Sequence, residues 1–262
     1  MAICLTCAGE ALAQDANQNV GFNWGGCYTG VNIGSTSFMP SGSANIPGAS
    51  GSAGTSVPSS YNLPSKAKTT IAYGAQIGCN QKTENFIIGI EGDIGFDNSR
   101  VTRTLSAGDP LLVAQGASFV AGDSFKVSSN LHGSIRGRIG YAIDQSSLLY
   151  LTFGMSWSPI KVNSNYIAIG VFPADVTSDS HLAFGPTAGI GWERAIDNDL
   201  TLGLEGKFTA YGSYPYNAGQ LTTVTLGSGI FTYAPASTTV SANEAEVMVR
   251  LNWYPRWSPF GN

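Results

Sequence analysis

Residues 131–143, LHGSIRGRIGYAI, alternate between two kinds of side chain. One set is apolar or glycine and includes Ile135 and Ile139, whereas the intervening set includes Arg136 and Arg138. Successive side chains of a β-strand point to opposite faces, so a period of two predicts a strand with one apolar and one polar face. Such an apolar face can meet a second sheet in a soluble sandwich, or lipid in a membrane barrel.

Seven further stretches show the same alternation. The eight predicted strands are residues 26–38, 69–79, 86–96, 131–143, 148–157, 181–194, 200–211 and 244–254. Each has about ten residues or more, the length that a tilted strand needs to cross a bilayer.

The connections between these strands alternate in length. Short polar turns follow the second, fourth and sixth strands, and long stretches rich in Ser, Gly and Thr follow the others. The long stretches are residues 39–68, 98–129, 158–180 and 212–242. A soluble domain rarely carries four structureless loops of this size. The pattern predicts an all-β fold: an eight-stranded antiparallel up-and-down transmembrane β-barrel with four long extracellular loops and three short periplasmic turns.

The composition favours the same fold. Only 11% of the 262 residues are charged, against roughly 25% in ordinary soluble domains, and 33 are glycine. The mean hydropathy is +0.04, and no apolar run approaches the ~20 residues of a membrane helix. A net charge of −4 without any basic stripe argues against a nucleic-acid partner. We therefore expect a protein of the cell outer membrane.

The first residues are expected to be a targeting segment. Residues 1–13 end in Ala-Leu-Ala, a small-residue pattern that precedes signal-peptidase sites, but lack a positively charged start. We expect a truncated signal peptide, with a native N-terminal segment or a lipoprotein cysteine at Cys4 or Cys7 as open alternatives. The predicted divisions are a signal peptide (residues 1–13), a periplasmic linker (14–23), the barrel (24–257) and a C-terminal tail (258–262).

Five segments resemble the small outer-membrane β-barrel family, which includes opacity-type adhesins, outer-membrane immunogenic proteins and relatives of the OmpA transmembrane domain. They are residues 24–30 (WGGCYTG), 88–93 (IGIEGD), 135–141 (IRGRIGY), 189–193 (GIGWE) and 204–208 (LEGKF). The resemblance implies a porin-like barrel with surface loops, a narrow or occluded interior, and outer-membrane lipid and the barrel assembly machinery as partners. Members of the family typically end in an aromatic residue within their assembly signal, whereas this chain continues past Tyr254. Either Trp257 or Phe260 serves as that aromatic residue, or recognition by the assembly machinery is altered.

Charged side chains occupy the polar face of the predicted strands. Those expected to point into the barrel are Glu91, Asp93, Arg136, Arg138, Glu193, Glu205, Lys207, Glu246 and Arg250. An eight-stranded barrel is just wide enough to be filled by side chains, and buried charges must be paired. We expect Glu91 and Asp93 to face Arg136 and Arg138 in a plug of ion pairs. A permeation pathway stays open as an alternative. A catalytic carboxylate pair is disfavoured because pairing keeps carboxylates ionised.

Two pairs of residues suggest further chemistry. Cys27 and Cys79 share the lipid-facing parity at one end of neighbouring strands, so we expect them within bridging distance. The envelope permits a disulfide between them, and whether they are bridged stays open. His132 and His181 have inward parity near the loop end of their strands. Because no third ligand has a recognisable spacing, we expect polar rim residues, no metal and no cofactor.

Aromatic residues cluster at the predicted strand ends. We expect them to form the interfacial girdles of a membrane barrel; they are Trp24, Tyr28, Tyr141, Trp157, Trp192, Tyr211, Trp253 and Tyr254.

These features predict an integral outer-membrane protein with a structural or surface-interaction role, whose loops meet an extracellular ligand that the sequence does not identify. A small porin-like channel for polar solutes is the alternative. A lipid-modifying enzyme is the third and least favoured function, since the sequence has no G-x-S-x-G nucleophile elbow. We expect the protein not to be an enzyme.

Overall fold

Eight long strands form a closed antiparallel barrel in the computed structural model. The structure describes residues 21–46, 50–51, 54–55, 59–63, 66–107, 121–166, 175–217, 224–226, 229–232 and 237–255. The barrel strands are β1 (Gly26–Ile46), β2 (Lys68–Thr83), β3 (Phe86–Thr104), β4 (Ser124–Ala142), β5 (Ser147–Tyr166), β6 (Asp175–Ala195), β7 (Leu200–Asn217) and β8 (Ser237–Trp253). Each strand pairs with its neighbours in the chain, and β1 also pairs with β8, which closes the sheet. The described residues include no helix long and apolar enough to cross a membrane.

The outer face of the barrel is apolar on every strand, as the period of two predicts. We call this surface the apolar belt. Its exposed side chains include Val31, Ile33, Ile71, Ile77, Ile88, Ile90, Ile135, Ile139, Leu151, Phe153, Leu182, Ile190, Leu202, Leu204, Val247 and Val249. Ile71 is 72% exposed and Ile88 66%, although soluble proteins rarely expose a contiguous apolar surface larger than a few hundred Å². A belt around a closed barrel is the surface that lipid covers in membrane barrels.

Short turns lie at one end of the barrel, which we call the turn end. They are residues 84–85, 143–146 and 196–199. In the second turn, the Ser146 amide donates to Asp144 Oδ1 at 2.7 Å and lowers the pKa of this exposed carboxyl group. Residues before β1 fold across this end, where the Phe22 amide donates to the carbonyl oxygen of Gln145 at 2.7 Å.

At the opposite end, the loop end, the strands are longer than the sequence predicts. For example, β1 continues to Ile46 and β3 to Thr104, and β8 begins at Ser237. The predicted long loops are therefore wrong in extent. Alternation of apolar and polar residues is lost where the outward side chains become polar, yet the backbone ladder continues because its hydrogen bonds need no apolar side chain.

Short strand segments add to the loop end. Ser59–Leu63 pairs with the end of β1, and a separate small sheet has the order Val224–Leu226, Gly229–Thr232, Ser50–Gly51, Gly54–Thr55. Its central pairing, Thr232 with Ser50, joins the segment after β1 to the segment after β7. The first and fourth connections thus share one hydrogen-bonded sheet.

Apolar clusters fill the interior at both ends. The turn-end cluster consists of Phe22, Trp24, Tyr28, Ile87, Ala142, Leu148, Tyr150 and Tyr254. The loop-end cluster consists of Phe38, Ile160, Val162, Ala183, Tyr211, Tyr216, Val240 and Ala242. The rings of Tyr28 and Tyr254 stack at 4.9 Å.

The predicted aromatic girdle is therefore wrong for half of its members. Trp24, Tyr28, Tyr211 and Tyr254 lie inside the barrel, each at most 5% exposed. The other four lie on the outer face, as expected; they are Tyr141, Trp157, Trp192 and Trp253. Position near a strand end does not decide between the faces, because only the parity along the strand does.

Candidate functional site

The nine charged side chains assigned to the interior all lie between the two apolar clusters. They alternate with the apolar belt along β3, β4, β6, β7 and β8, and none is more than 7% exposed. We call this set the charged layer. A charge removed from water must find partners inside the protein, so its contacts decide what the interior can do.

Two arginines and two glutamates form a closed ring of ion pairs at its centre. Arg136 Nη2 lies 2.6 Å from Glu91 Oε1, and Arg136 Nη1 contacts Glu205. On the other side, Arg250 Nη2 lies 2.5 Å from Glu91 Oε2, and Arg250 Nη1 contacts Glu205. Each guanidinium bridges two carboxylates, which its planar fork favours. The ring connects β3, β4, β7 and β8, two pairs of strands from separate parts of the sheet.

Arg138 has a closer partner than the expected Glu91 and Asp93. In the ladder Arg136 stands opposite Glu91, but Arg138 stands opposite Gly89, which offers no side chain. Arg138 Nη2 instead lies 2.7 Å from Glu193 Oε1 on β6, and 3.8 Å separate its Nη1 from Glu91 Oε2. Its guanidinium carbon lies 3.8 Å from the centre of the Tyr150 ring on the intervening strand. This cation–π contact fixes the arginine across the interior.

Lys207 completes the layer on the side of the loop end. Its Nζ lies 3.2 Å from Asp93 Oδ1 and 3.2 Å from Glu246 Oε1. Asp93 also accepts from Arg136 Nη2 at 3.0 Å, so the lysine is tied to the central ring. Each of the nine side chains therefore has at least one partner of opposite charge within the layer.

Neutral polar side chains that the sequence analysis did not select extend the network. Tyr150 donates its hydroxyl proton to Glu205 Oε2 at 2.7 Å, and Tyr28 donates to Glu91. Asn252 Nδ2 donates to Glu193 Oε1 at 3.0 Å, and Asn252 Oδ1 accepts from Gln76 Nε2 at 2.8 Å. Their inward parity was available in the sequence, but it does not reveal which neutral residue reaches a charge.

A small polar cavity remains beside this network. It has a volume of about 20 Å³, and its lining includes Asn32, Gln76, Asp93, Lys207 and Glu246. That space holds about one water molecule.

The two histidines have different environments. His181 is at the loop end with a side chain 42% exposed, and its ring centre lies 4.9 Å from that of Tyr216. His132 is only 2% exposed, so the expectation of a rim residue is wrong for it. Its ring lies between Glu244 and Glu246, and a Cβ on Gly95 would collide with its Nε2. The glycine opposite leaves the space that admits the ring.

Cys27 and Cys79 form a disulfide. They stand directly opposite each other on β1 and β2 near the turn end, with 3.9 Å between their Cα atoms. Cys79 is exposed on the outer face and Cys27 is half-buried. The bridge ties the first two strands together beside the turn-end cluster.

Comparisons with known proteins agree with this architecture. The sequence model of a family described as outer membrane protein beta-barrel domain matches residues 1–249. The chain is 30% identical over 192 residues to the 31 kDa outer-membrane immunogenic protein of Brucella melitensis, covering 73% of this chain and 72% of that protein. It is 29% identical over 150 residues to the 22 kDa outer membrane protein of Rhizobium leguminosarum bv. viciae, covering 56% and 57%. The chain thus spans little more than half the length of that relative.

A solved structure with a similar arrangement is Ail, the attachment invasion locus protein of Yersinia pestis. Its sequence is 10% identical, the alignment covers 84% of this chain and 99% of that chain, and the TM-score is 0.32. Similarity at this level supports no functional conclusion.

Proposed function

Because the chain belongs to the outer membrane protein β-barrel family and is a protein of the cell outer membrane, we propose that it is a closed scaffold. In this proposal it anchors a polar surface outside the cell and acts neither as a pore nor as an enzyme. The observation that carries the proposal is the layered interior, in which the charged layer lies between two apolar clusters.

The contacts within the charged layer support closure. The ring of Arg136, Glu91, Arg250 and Glu205 connects strands from separate parts of the sheet, and Lys207 ties Asp93 to Glu246. A permeating solute would have to separate these buried charges. Leaving one buried charge without its partner costs about 3–5 kcal/mol, and a path through the layer would disrupt several pairs.

The structure of the loop end is consistent with a polar surface held outside the cell. Seven of the eight strands, all but β2, continue well past the apolar belt, and the pairing of Thr232 with Ser50 joins two of the connections. Barrels of this kind place long connections outside the cell and short turns in the periplasm. We infer that an extracellular ligand binds at this end, that lipid covers the apolar belt, and that the barrel assembly machinery inserts the chain.

A small pore for polar solutes is the second candidate, because the interior has a polar cavity lined by Asn32, Gln76 and Asp93. Its volume of about 20 Å³ suits about one water molecule rather than a solute path. An enzymatic role has less support, since an ionised carboxylate held by arginine is a poor general acid.

Surface labelling of intact cells tests the display and the orientation. One variant carries a short peptide tag inserted into residues 218–223, after β7, and the matched variant carries the same tag at Asn198 in the last short turn. We expect an antibody to label the first variant on intact cells and the second only after the outer membrane is opened. Labelling of the Asn198 tag on intact cells, or of neither tag, contradicts the proposal.

A further inference from the structure

Asp97, His132 and Glu244 bring three metal-ligand atoms together inside the barrel. They come from β3, β4 and β8, and one ligand atom from each lies within 4.8 Å of the others. The Nδ1 atom of His132 lies 3.8 Å from Glu244 Oε1. We propose that this triad binds one divalent transition-metal ion of the Zn²⁺ class. The sequence alone predicts no such site, because the three residues have no recognisable spacing.

The surroundings of His132 leave its Nδ1 atom available to bind a metal ion. Its Nε2 lies 3.5 Å from Glu246 Oε2, and Lys207 holds this carboxylate at 3.2 Å. In the neutral ring, the closer carboxylate of Glu246 favours the proton on Nε2 and leaves the lone pair on Nδ1, as around metal-bound histidines. The Nδ1 atom is buried and has no hydrogen-bond partner. It faces Glu244, so the space between them suits a positive charge, supplied either by a proton on Nδ1 or by a bound metal ion.

Hydrogen bonds orient both carboxylates of the triad. Thr36 Oγ1 donates to Glu244 Oε1 at 2.8 Å, and the Tyr211 hydroxyl donates to Glu244 Oε2 at 3.0 Å. Ser99 Oγ donates to Asp97 Oδ2 at 2.5 Å, which leaves Asp97 Oδ1 buried without a partner. These contacts supply the supporting hydrogen bonds that ligating carboxylates normally have.

The charges around the triad favour a cation. Among the described residues, neither Asp97 nor Glu244 forms an ion pair with a lysine or an arginine, in contrast to every carboxylate of the charged layer. Of the residues that the structure describes, only the imidazole of His132, and only when it is protonated, can offset these two buried carboxylates, and buried carboxylates without compensation are costly. A divalent ion would supply the two positive charges, and neutral His132 would remain a ligand.

The donor set selects the class of metal. One imidazole nitrogen with two carboxylate oxygens suits Zn²⁺ and related transition metals, whereas Ca²⁺ and Mg²⁺ prefer all-oxygen sites. Bonds of about 2.0–2.2 Å to zinc require the three side chains to close on the ion by small rotations. A water molecule can complete a tetrahedral shell.

Zinc binding to the tag-free, full-length protein tests the proposal. The protein is extracted from outer membranes, treated with a chelator and titrated with Zn²⁺, and bound metal is counted by elemental mass spectrometry. The chain has two histidines, so His132→Asn and His181→Asn are matched variants. We expect one Zn²⁺ per chain in the parent and in His181→Asn, and at least tenfold weaker binding in His132→Asn and Asp97→Asn. Glu246→Gln, which removes a positioning residue, should weaken binding about 10–100-fold.

Two further measurements distinguish the loss of a zinc ligand from the misfolding of a variant. Migration in cold SDS reports the folded state of each variant, and X-ray absorption of zinc in the parent protein should reveal one imidazole ligand and no sulfur. Three results overturn the proposal: less than about one-tenth of a zinc per chain in the parent, equal binding by His132→Asn, or a zinc shell without imidazole.

Discussion

Arg138 on β4 and Glu193 on β6 form a 2.7 Å ion pair across the strand that separates them. The arginine also donates from Nη1 to the Tyr28 hydroxyl at 2.8 Å. A ladder hydrogen bond connects only adjacent strands, so side chains of this reach hold non-adjacent parts of the barrel in place.

Replacing Arg138 with alanine should destabilise the barrel. Among the described residues, Glu193 would keep only Asn252 and Thr201 as hydrogen-bond donors in the buried interior, which costs about 3–5 kcal/mol of the free energy of unfolding. Urea unfolding in detergent, followed by the change in migration on SDS gels, measures the loss. Arg194 is exposed on the outer face, so Arg194→Ala should stay within about 0.5 kcal/mol of the parent. Equal stability of the two variants would refute the role given to Arg138.

Glycine at position 154 is required by close packing between strands. A Cβ there would collide with the carbonyl oxygen of Ile135 and lie 2.7 Å from Arg136 Cα, both backbone atoms that cannot rotate away. We expect Gly154→Ala to cost about 1–3 kcal/mol through overpacking. Around Gly206, by contrast, a Cβ meets nothing within 4 Å, so Gly206→Ala should be neutral. Thermal unfolding of both variants checks this, and comparable melting temperatures would count against it.

Tryptophan fluorescence distinguishes the inner face from the outer face. Trp24 is 1% exposed within the turn-end cluster, and Trp253 is 49% exposed at the end of β8. Brominated lipid quenches tryptophans that it contacts. We expect brominated vesicles to quench the fluorescence of Trp253, so that Trp253→Phe is quenched less than the parent. The fluorescence of Trp24 should be protected, so that Trp24→Phe loses only unquenched signal. Equal quenching of both contributions would place Trp24 in contact with lipid and contradict the fold.

Periodicity predicted the strands from their lipid-crossing parts alone. A period of two marks a strand wherever one face is apolar, and all eight strands satisfy it in the apolar belt. The same signal ends near Phe38 and Phe96, although β1 and β3 continue, because exposed residues beyond these points, such as Ser41 and Asn98, are polar rather than apolar. The extent of the polar ladder therefore could not be read from hydrophobicity.

Parity predicted which charges are internal but not how they pair. Arg136 faces Glu91 because the two are opposite in the ladder, whereas the reach of Arg138 to Glu193 depends on the curvature of the closed barrel. The sequence did not single out Glu244, because it is the first residue of the predicted strand 244–254. It did not single out Asp97, because this residue lies one position beyond the predicted strand 86–96. Side chains near strand ends have inward parity, yet only the closed structure reveals that they meet.

Removing the disulfide should weaken the barrel without opening it. Cys27 and Cys79 are separated by 52 positions, and closing a loop of that length in the unfolded chain corresponds to about 4 kcal/mol in the entropy model. Non-reducing mass mapping should find the linked peptides, and a reductant should lower the urea midpoint of the parent. The Cys27→Ser/Cys79→Ser variant is the control and should not respond to the reductant. Two free thiols in the purified barrel would contradict this prediction.

Closure of the interior is the central claim, and planar-bilayer recording tests it most directly. Purified protein, with insertion verified by protease protection in parallel vesicles, should give no steady conductance steps, because the charged layer lies between two apolar clusters. Steady steps of a defined size that scale with the amount of inserted protein would contradict the closed scaffold and support the pore.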